Sequence, residues 1–211
     1  MKAADVFSRL QRLAPIVTTS EAATTLNMSP TATVHALGRL ASAGLVRSVR
    51  HGVWYVGLGP IDTLTVLPVL TRPYPSYMSV WSALFNHGMI DQIPRAVYAV
   101  SMGRAKKVRS AGTTFDVHHM CPALFDGYSG ATGTRAGVAT PEKALFDTVY
   151  LLASRSADMS LPELELPDGF DAGAVWAWVE LIEGRRLQTI VSRQLRQLFA
   201  SLADVEGELC Q

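Results

Sequence analysis

The stretch Ser20–Gly57, SEAATTLNMSPTATVHALGRLASAGLVRSVRHGVWYVG, decides the fold of the first part of the chain. Just upstream, Val6, Phe7, Leu10 and Leu13 recur at helical spacing, and Pro15 ends that helix because a residue preceding proline avoids the α region. Thr18 with Glu21 forms a capping box, which predicts a second helix reaching about Leu26. Ser29-Pro30, a cap residue followed by proline at the first helical position, opens a third helix. The connection Asn27-Met28-Ser29 has the length of the turn in a helix-turn-helix.

On the third helix Val34, Leu37, Leu40 and Ala41 fall on one side and are expected to pack on the first two helices. The opposite side carries Thr31, Ala32, His35, Arg39 and Ser42: small or hydrogen-bonding groups, one arginine and no acid. A merely solvated face usually carries Glu and Lys, whereas a face that approaches phosphates must exclude acids. Gly44 stops the helix, and LVRSV and VWYVG read as strands around the turn RHG. That hairpin brings Arg47, Arg50 and His51 to where a wing meets the DNA backbone or minor groove. The segment 1–60 is therefore expected to be a winged helix-turn-helix. Thr31, Ala32, His35 and Arg39 would reach base edges and Arg47 and Arg50 the phosphates, with Ser42 and His51 further DNA-binding candidates. Winged helices also serve protein contacts; the acid-free face and basic hairpin favour DNA.

Charge distribution agrees. Met1–Gly57 holds six Lys/Arg against two acids, Leu58–Ala157 nine against six, and Asp158–Gln211 four against ten, although the net charge is only +1. A basic front and an acidic tail suggest different partners for the two ends. No apolar run approaches the roughly 18 residues of a membrane span, and MKAADVFSRLQRLAP lacks a signal-peptide core. Cys121 and Cys210 are isolated and make neither a disulfide framework nor a zinc pattern. A cytoplasmic protein with no membrane contact, no metal and no cofactor is expected.

Past GLGPID a second unit, 61–211, begins without a low-complexity linker. IDTLTVLPVLTRPYP reads as an ordered, proline-containing connector and SYMSVWSALFNHG as a helix stopped by Gly88. AVYAVS and TTFDVHHM read as strands flanking the basic run GRAKKVRSAG, with AGVAT a third short strand. TPEKALFDTVYLL opens a helix with Thr140 as cap and Pro141 at its first position. GAVWAWVELIEG and RRLQTIVSRQLRQLFASLAD follow as helices, the last with a buried stripe of Ile190, Leu195, Leu198 and Leu202. The class is α+β: a winged helix-turn-helix, then an α+β domain with a small sheet and C-terminal helices.

The order YPSYMSVWSALFNHGMIDQIPRAVYAVSMGR, FDVHHMCPALFDGY and GVATPEKALFDTVYL resembles the AbiEi-type antitoxins of bacterial toxin–antitoxin and abortive-infection systems. The most specific block is ATPEKALFD, Ala139–Asp147, and the resemblance covers about Tyr74–Leu152. It implies an autorepressor that binds inverted repeats upstream of its own operon and a second domain that counters a co-encoded nucleotidyltransferase-like toxin. It supplies no catalytic residue, so no enzyme activity is expected. A monomer off DNA that loads several copies on repeated half-sites is the expected assembly.

Other constellations carry less. His118 and His119 are adjacent on a strand and point to opposite faces, which argues against a shared metal with Cys121. Asp116, Glu142 and Lys143 superficially resemble a nuclease carboxylate–lysine set. Yet Glu142 and Lys143 adjoin at a helix start, where Glu142 suits the dipole and Lys143 a surface or partner contact. SGATGTRAG lacks the lysine and the strand–helix setting of a phosphate loop. The basic run Arg104, Lys106, Lys107 and Arg109 is either a solvated hairpin tip or a further DNA or toxin contact. Two alternatives to the antitoxin stay open: a nuclease targeted by the winged helix, and a ligand-sensing repressor with no toxin.

Overall fold

The computed structural model describes residues 3–155 and 163–209, with side chains as far as residue 203. Asp158 and Cys210, and the side chains of the tail acids Asp204, Glu206 and Glu208, lie outside the described residues.

The N-terminal unit is built from α1 (Ala3–Gln11), β1 (Ile16–Thr18), α2 (Thr19–Leu26), α3 (Pro30–Ser42), β2 (Val46–Arg50) and β3 (Val53–Val56). α1 stops at Gln11, short of Pro15, and leaves Leu13 45% exposed outside the helix, whereas the boundaries of α2 and α3 have local causes in the sequence. The Thr18 hydroxyl accepts from the Glu21 amide at 3.2 Å while Glu21 accepts from the Thr18 amide at 2.7 Å, closing the capping box. Asn27 turns left-handed at φ 52° and ends α2. Ser29 caps α3 by accepting from the Ala32 amide at 3.3 Å. β1 is an addition to the sequence expectation: Ile16-Val17-Thr18 is too short to display a strand pattern, but it pairs antiparallel with β3. The resulting sheet runs β1-β3-β2 and covers the helices around Val6, Leu10, Val17, Ala22, Leu26, Leu37, Leu40, Val46 and Val56.

The second unit corrects the expected small sheet. Its connector is a helix, α4 (Thr63–Thr71), capped by Asp62, with Pro68 inside forgoing the bond its nitrogen cannot donate. The segment read as a single helix divides into β4 (Ser76–Met78) and α5 (Val80–Asn86). β5 (Val97–Ser101) is followed by β6 (Lys106–Ser110), so the basic run is itself a strand, and then by β7 (Thr113–His119). With β8 (Tyr128–Ser129) and β9 (Gly137–Ala139) they form a six-stranded mixed sheet, β6-β7-β5-β4-β9-β8. α6 (Pro141–Ser154), α7 (Ala172–Glu180) and α8 (Arg185–Leu209) close the fold. On α8 the fully buried positions are Val191 and Leu195, with Ile190, Leu198 and Leu202 half-buried around them.

The two faces of this sheet have different neighbours. Val97, Ala99, Phe115 and Val117 turn toward α4, while Tyr98 and Val100 join the core of α5 to α8. The α4 side also receives the N-terminal hairpin: Val49, Val53 and Tyr55 pack with Val66, Leu67, Phe115 and Val117. Burying one such large apolar side chain contributes about 1.5–3 kcal/mol. Polar ties reinforce the junction, with Ala111 N–H donating to the Ser48 carbonyl at 3.0 Å and Ser110 Oγ to the Val49 carbonyl at 2.8 Å. The chain is α+β, and among the described residues no helix is long and apolar enough to cross a membrane.

Candidate nucleic-acid interface

α3 presents two faces of opposite character. Thr33, Ala36, Leu37 and Leu40 are buried, and the Thr33 hydroxyl donates back to the Ser29 carbonyl at 2.9 Å. Thr31, His35, Arg39 and Ser42 are exposed and Ala32 is half-buried at the edge. Val34 corrects the expected packing side: it is 50% exposed and shares the outer face, because the inner arc is centred on Thr33, Ala36, Leu37 and Leu40. Spacing alone had placed Val34 inward because it is apolar; an exposed apolar methyl pair on this face suits a thymine methyl.

Gly38 is the position the sequence reading missed. It stands in the middle of α3 on the outer face, and an added Cβ there would meet nothing within 4 Å. No internal packing requires glycine, although glycine costs a helix interior roughly 0.5–1 kcal/mol relative to alanine. What its absent side chain provides is room for an outside surface to come close. The signal was available in the sequence: a mid-helix glycine between His35 and Ser42.

The hairpin β2–β3 turns at His51-Gly52, and Arg50 and His51 are exposed beside it. The turn is tied back to α2, since Thr19 N–H donates to the Gly52 carbonyl at 2.9 Å and Trp54 Nε1 to Thr19 Oγ1 at 3.1 Å. Arg47 is engaged differently. It is half-buried and its guanidinium donates to the Gly59 carbonyl in the link between the units. Arg39 and Arg50 have no carboxylate partner, because the ion pairs among the described residues are His118–Asp116, Arg135–Asp62 and Lys143–Asp147.

The four basic residues of the run do not share one face. Lys107 and Arg109 lie opposite Asp116 and Thr114 on β7, on the pleat turned away from α4. Lys106 lies opposite Val117 on the α4 side, where its ammonium donates to the Leu70 carbonyl, and Arg104 precedes the strand. Arg109 and Arg50 each adjoin a partner of the Ser110–Val49 hydrogen bond, so they flank one junction.

The ATPEKALFD block proves to be a buried polar centre. Thr140 caps α6, and Glu142 accepts from the Asp171 amide at 3.2 Å. Lys143, expected at the surface, is fully buried and paired with Asp147, itself fully buried. Ser79 and Tyr77 donate to the same carboxylate at 2.7 and 3.0 Å. The ammonium lies 4.9 Å from the Phe146 ring centroid, 5.4 Å from that of Trp178 and 5.7 Å from that of Tyr77. Gly127, at φ +70°, closes the cage; a Cβ there would lie 2.5 Å from Trp178. Burial pushes the Asp147 carboxyl up, against the opposing pull of Lys143 and the two hydroxyls. A lysine sealed in this way holds α6 on β4 and cannot meet a solvent-borne substrate.

His118 and His119 do face opposite ways. His118 is buried, accepts from Arg155 on its Nδ1 at 2.6 Å, and has Asp116 3.8 Å from its Nε2. Burial, then the Arg155 charge, lowers its pKa. His119 is exposed, with Nδ1 3.0 Å from the Gly103 carbonyl. Among the described residues no three His, Cys, Asp or Glu side chains gather as a metal set would require. No protein-family model and no curated protein matches the chain.

Proposed function

We propose that the chain is a DNA-binding autorepressor of the antitoxin type, working in the cytoplasm. In this reading residues 1–60 are a winged helix-turn-helix that lays α3 in the major groove of operator repeats upstream of its own operon. The observation that carries it is the outer face of α3: Thr31, Val34, His35, Gly38, Arg39 and Ser42, with no acid among them, together with an exposed Arg50 at the hairpin turn. A thirteen-residue helix is about 20 Å long, and the major groove, about 12 Å wide, admits one. His35 and Arg39 then read base edges, Val34 a thymine methyl, and Gly38 lets the helix approach the groove floor. Arg50 and His51, with Lys107 and Arg109 across the junction, meet phosphates. Arg47 serves the link instead.

Countering a co-encoded nucleotidyltransferase-like toxin is the role proposed for residues 61–211, and its support is the sequence resemblance of Tyr74–Leu152. The nuclease alternative loses its support at Lys143, whose ammonium is sealed among Tyr77, Phe146 and Trp178. A reporter fused to the upstream region tests the reading in cells. Repression by the wild-type chain, lost with Arg39→Ala and kept with Arg47→Ala, is the expected result. Equal expression with and without the wild-type chain would refute autorepression. For the second role, co-expression should rescue growth from the toxin of the neighbouring gene, and failure to rescue would reduce the chain to a repressor.

A further inference from the structure

A cleft of about 630 Å³ opens where α4 ends, between the start of β6 and the ends of β5 and β7. Its volume falls in the roughly 300–1,000 Å³ range of small-molecule sites. Arg72, Arg104, Lys106 and His119 line it, and among the described residues no carboxylate does. None of the ion pairs among the described residues involves Arg72, Arg104 or Lys106. Lys106 is fixed in place by its bond to the Leu70 carbonyl, and His119 by Gly103, which leaves the His119 Nε2 for a ligand. The cleft also has an aromatic wall. Tyr74 is 50% exposed and lies against Gly103 so closely that a Cβ there would sit 2.9 Å from its ring.

We propose that this cleft binds a nucleoside di- or triphosphate, with the phosphates on Arg72, Arg104 and Lys106 and the base against Tyr74. Two guanidinium groups and an ammonium match a chain of phosphates, while the volume and the aromatic wall exceed what a lone oxyanion uses. A guanidinium holds phosphate oxygens two at a time, and an aromatic face accepts any base by stacking. The cleft is not an extension of the DNA track. β6 separates it from Arg50 by about 13 Å at the strand's rise per residue, and it opens on the α4 side while Lys107 and Arg109 face the other. The inference stands independently of DNA reading, because the residues involved differ.

The test is titration of mant-ATP and mant-GTP into the full chain, followed by competition with ATP, adenosine, pyrophosphate and a random DNA duplex. Saturable binding is expected, with adenosine and pyrophosphate each a much poorer competitor than ATP. Arg104→Ala and Tyr74→Ala should each weaken it by about tenfold or more, as a lost phosphate clamp or base stack would. Both side chains are exposed, so unchanged melting curves verify the fold, and operator binding should be untouched. Absence of saturation by about 1 mM would overturn the site. So would indifference to both substitutions. Pyrophosphate competing as well as ATP would make it a plain polyanion site, and displacement by random duplex in an Arg50→Ala background would make it part of the DNA surface; either contradicts the proposal.

Discussion

α3 and α6 begin in the same way and end up opposite. Ser29-Pro30 and Thr140-Pro141 are both a hydroxyl cap with proline at the first helical position. Yet α3 leaves Arg39 in solvent with no ion-pair partner among the described residues, whereas α6 buries Lys143 and Asp147 completely. The start signal sets where a helix begins and says nothing about which surface its charges will meet. What separates them is the matching of charge within the helix. Lys143 has Asp147 one turn on, and Tyr77 and Ser79 complete the carboxylate's hydrogen bonds. Arg39 has no acid anywhere on α3. A charge paired inside the fold serves architecture; a solvated one is left accessible at the surface.

The comparison breaks most sharply at Lys143. Lys143→Met should cost about 3–5 kcal/mol in urea melts, because it strands a buried carboxylate. Adding Asp147→Leu removes the stranded charge and should recover only part of that, because the Tyr77 and Ser79 hydroxyls are then buried without their acceptor at a cost of about 1–3 kcal/mol each. A single variant as stable as wild type would show that the pair is not what holds α6.

Gly38→Ala should act with opposite signs on folding and on binding. Stability should rise by roughly 0.5–1 kcal/mol from the helix preference, while operator affinity falls because the new methyl intrudes on the groove. Tighter DNA binding by the alanine variant would remove the close-approach argument. Arg50→Ala should lower the slope of log K against log salt by about 0.9, one phosphate contact, and Arg47→Ala should leave it unchanged. Equal slopes for the two variants would erase the distinction drawn between hairpin tip and link.

The smallest effect concerns pH. The folded-state pKa of His118 lies below the unfolded value of 6.5. Its contribution to stability is therefore complete above that value and lost as pH falls below it toward the depressed folded pKa. Urea melts at stepwise lower pH should show a decline that His118→Gln flattens. An unaltered profile in the variant would assign the decline elsewhere.

Capping and stop signals made most of the N-terminal unit legible: Thr18 with Glu21, Ser29-Pro30 and the turn after Arg50 all lie where the sequence puts them. Short strands were legible only in part: AGVAT holds β9 (Gly137–Ala139) as expected, but three others were not. Ile16–Thr18, Ser76–Met78 and Tyr128–Ser129 are two or three residues long, and only their partners make them strands. Lys106–Ser110 was hidden for another reason, since an edge strand rich in cations carries the composition of a loop. Val34 and Lys143 were placed by residue type, an apolar group inward and a charged one outward. Both are reversed because the surroundings, an open helix face and an aromatic cage, decide burial. The cationic cleft was invisible because Arg72 and Arg104 meet only through the turn after α4 and the end of β5.

The central claim, that the outer face of α3 reads DNA sequence, is tested most directly by fluorescence anisotropy with wild type and Arg39→Ala. Each is titrated onto the upstream region and onto scrambled DNA across a salt series. Wild type should prefer the upstream region by at least about a hundredfold, toward the roughly 10³–10⁷-fold margin of specific over non-specific binding. Arg39→Ala should lose about 1–3 kcal/mol of that preference while binding scrambled DNA nearly as before. Equal binding of both DNAs by wild type, or equal weakening of both by Arg39→Ala, would contradict the claim.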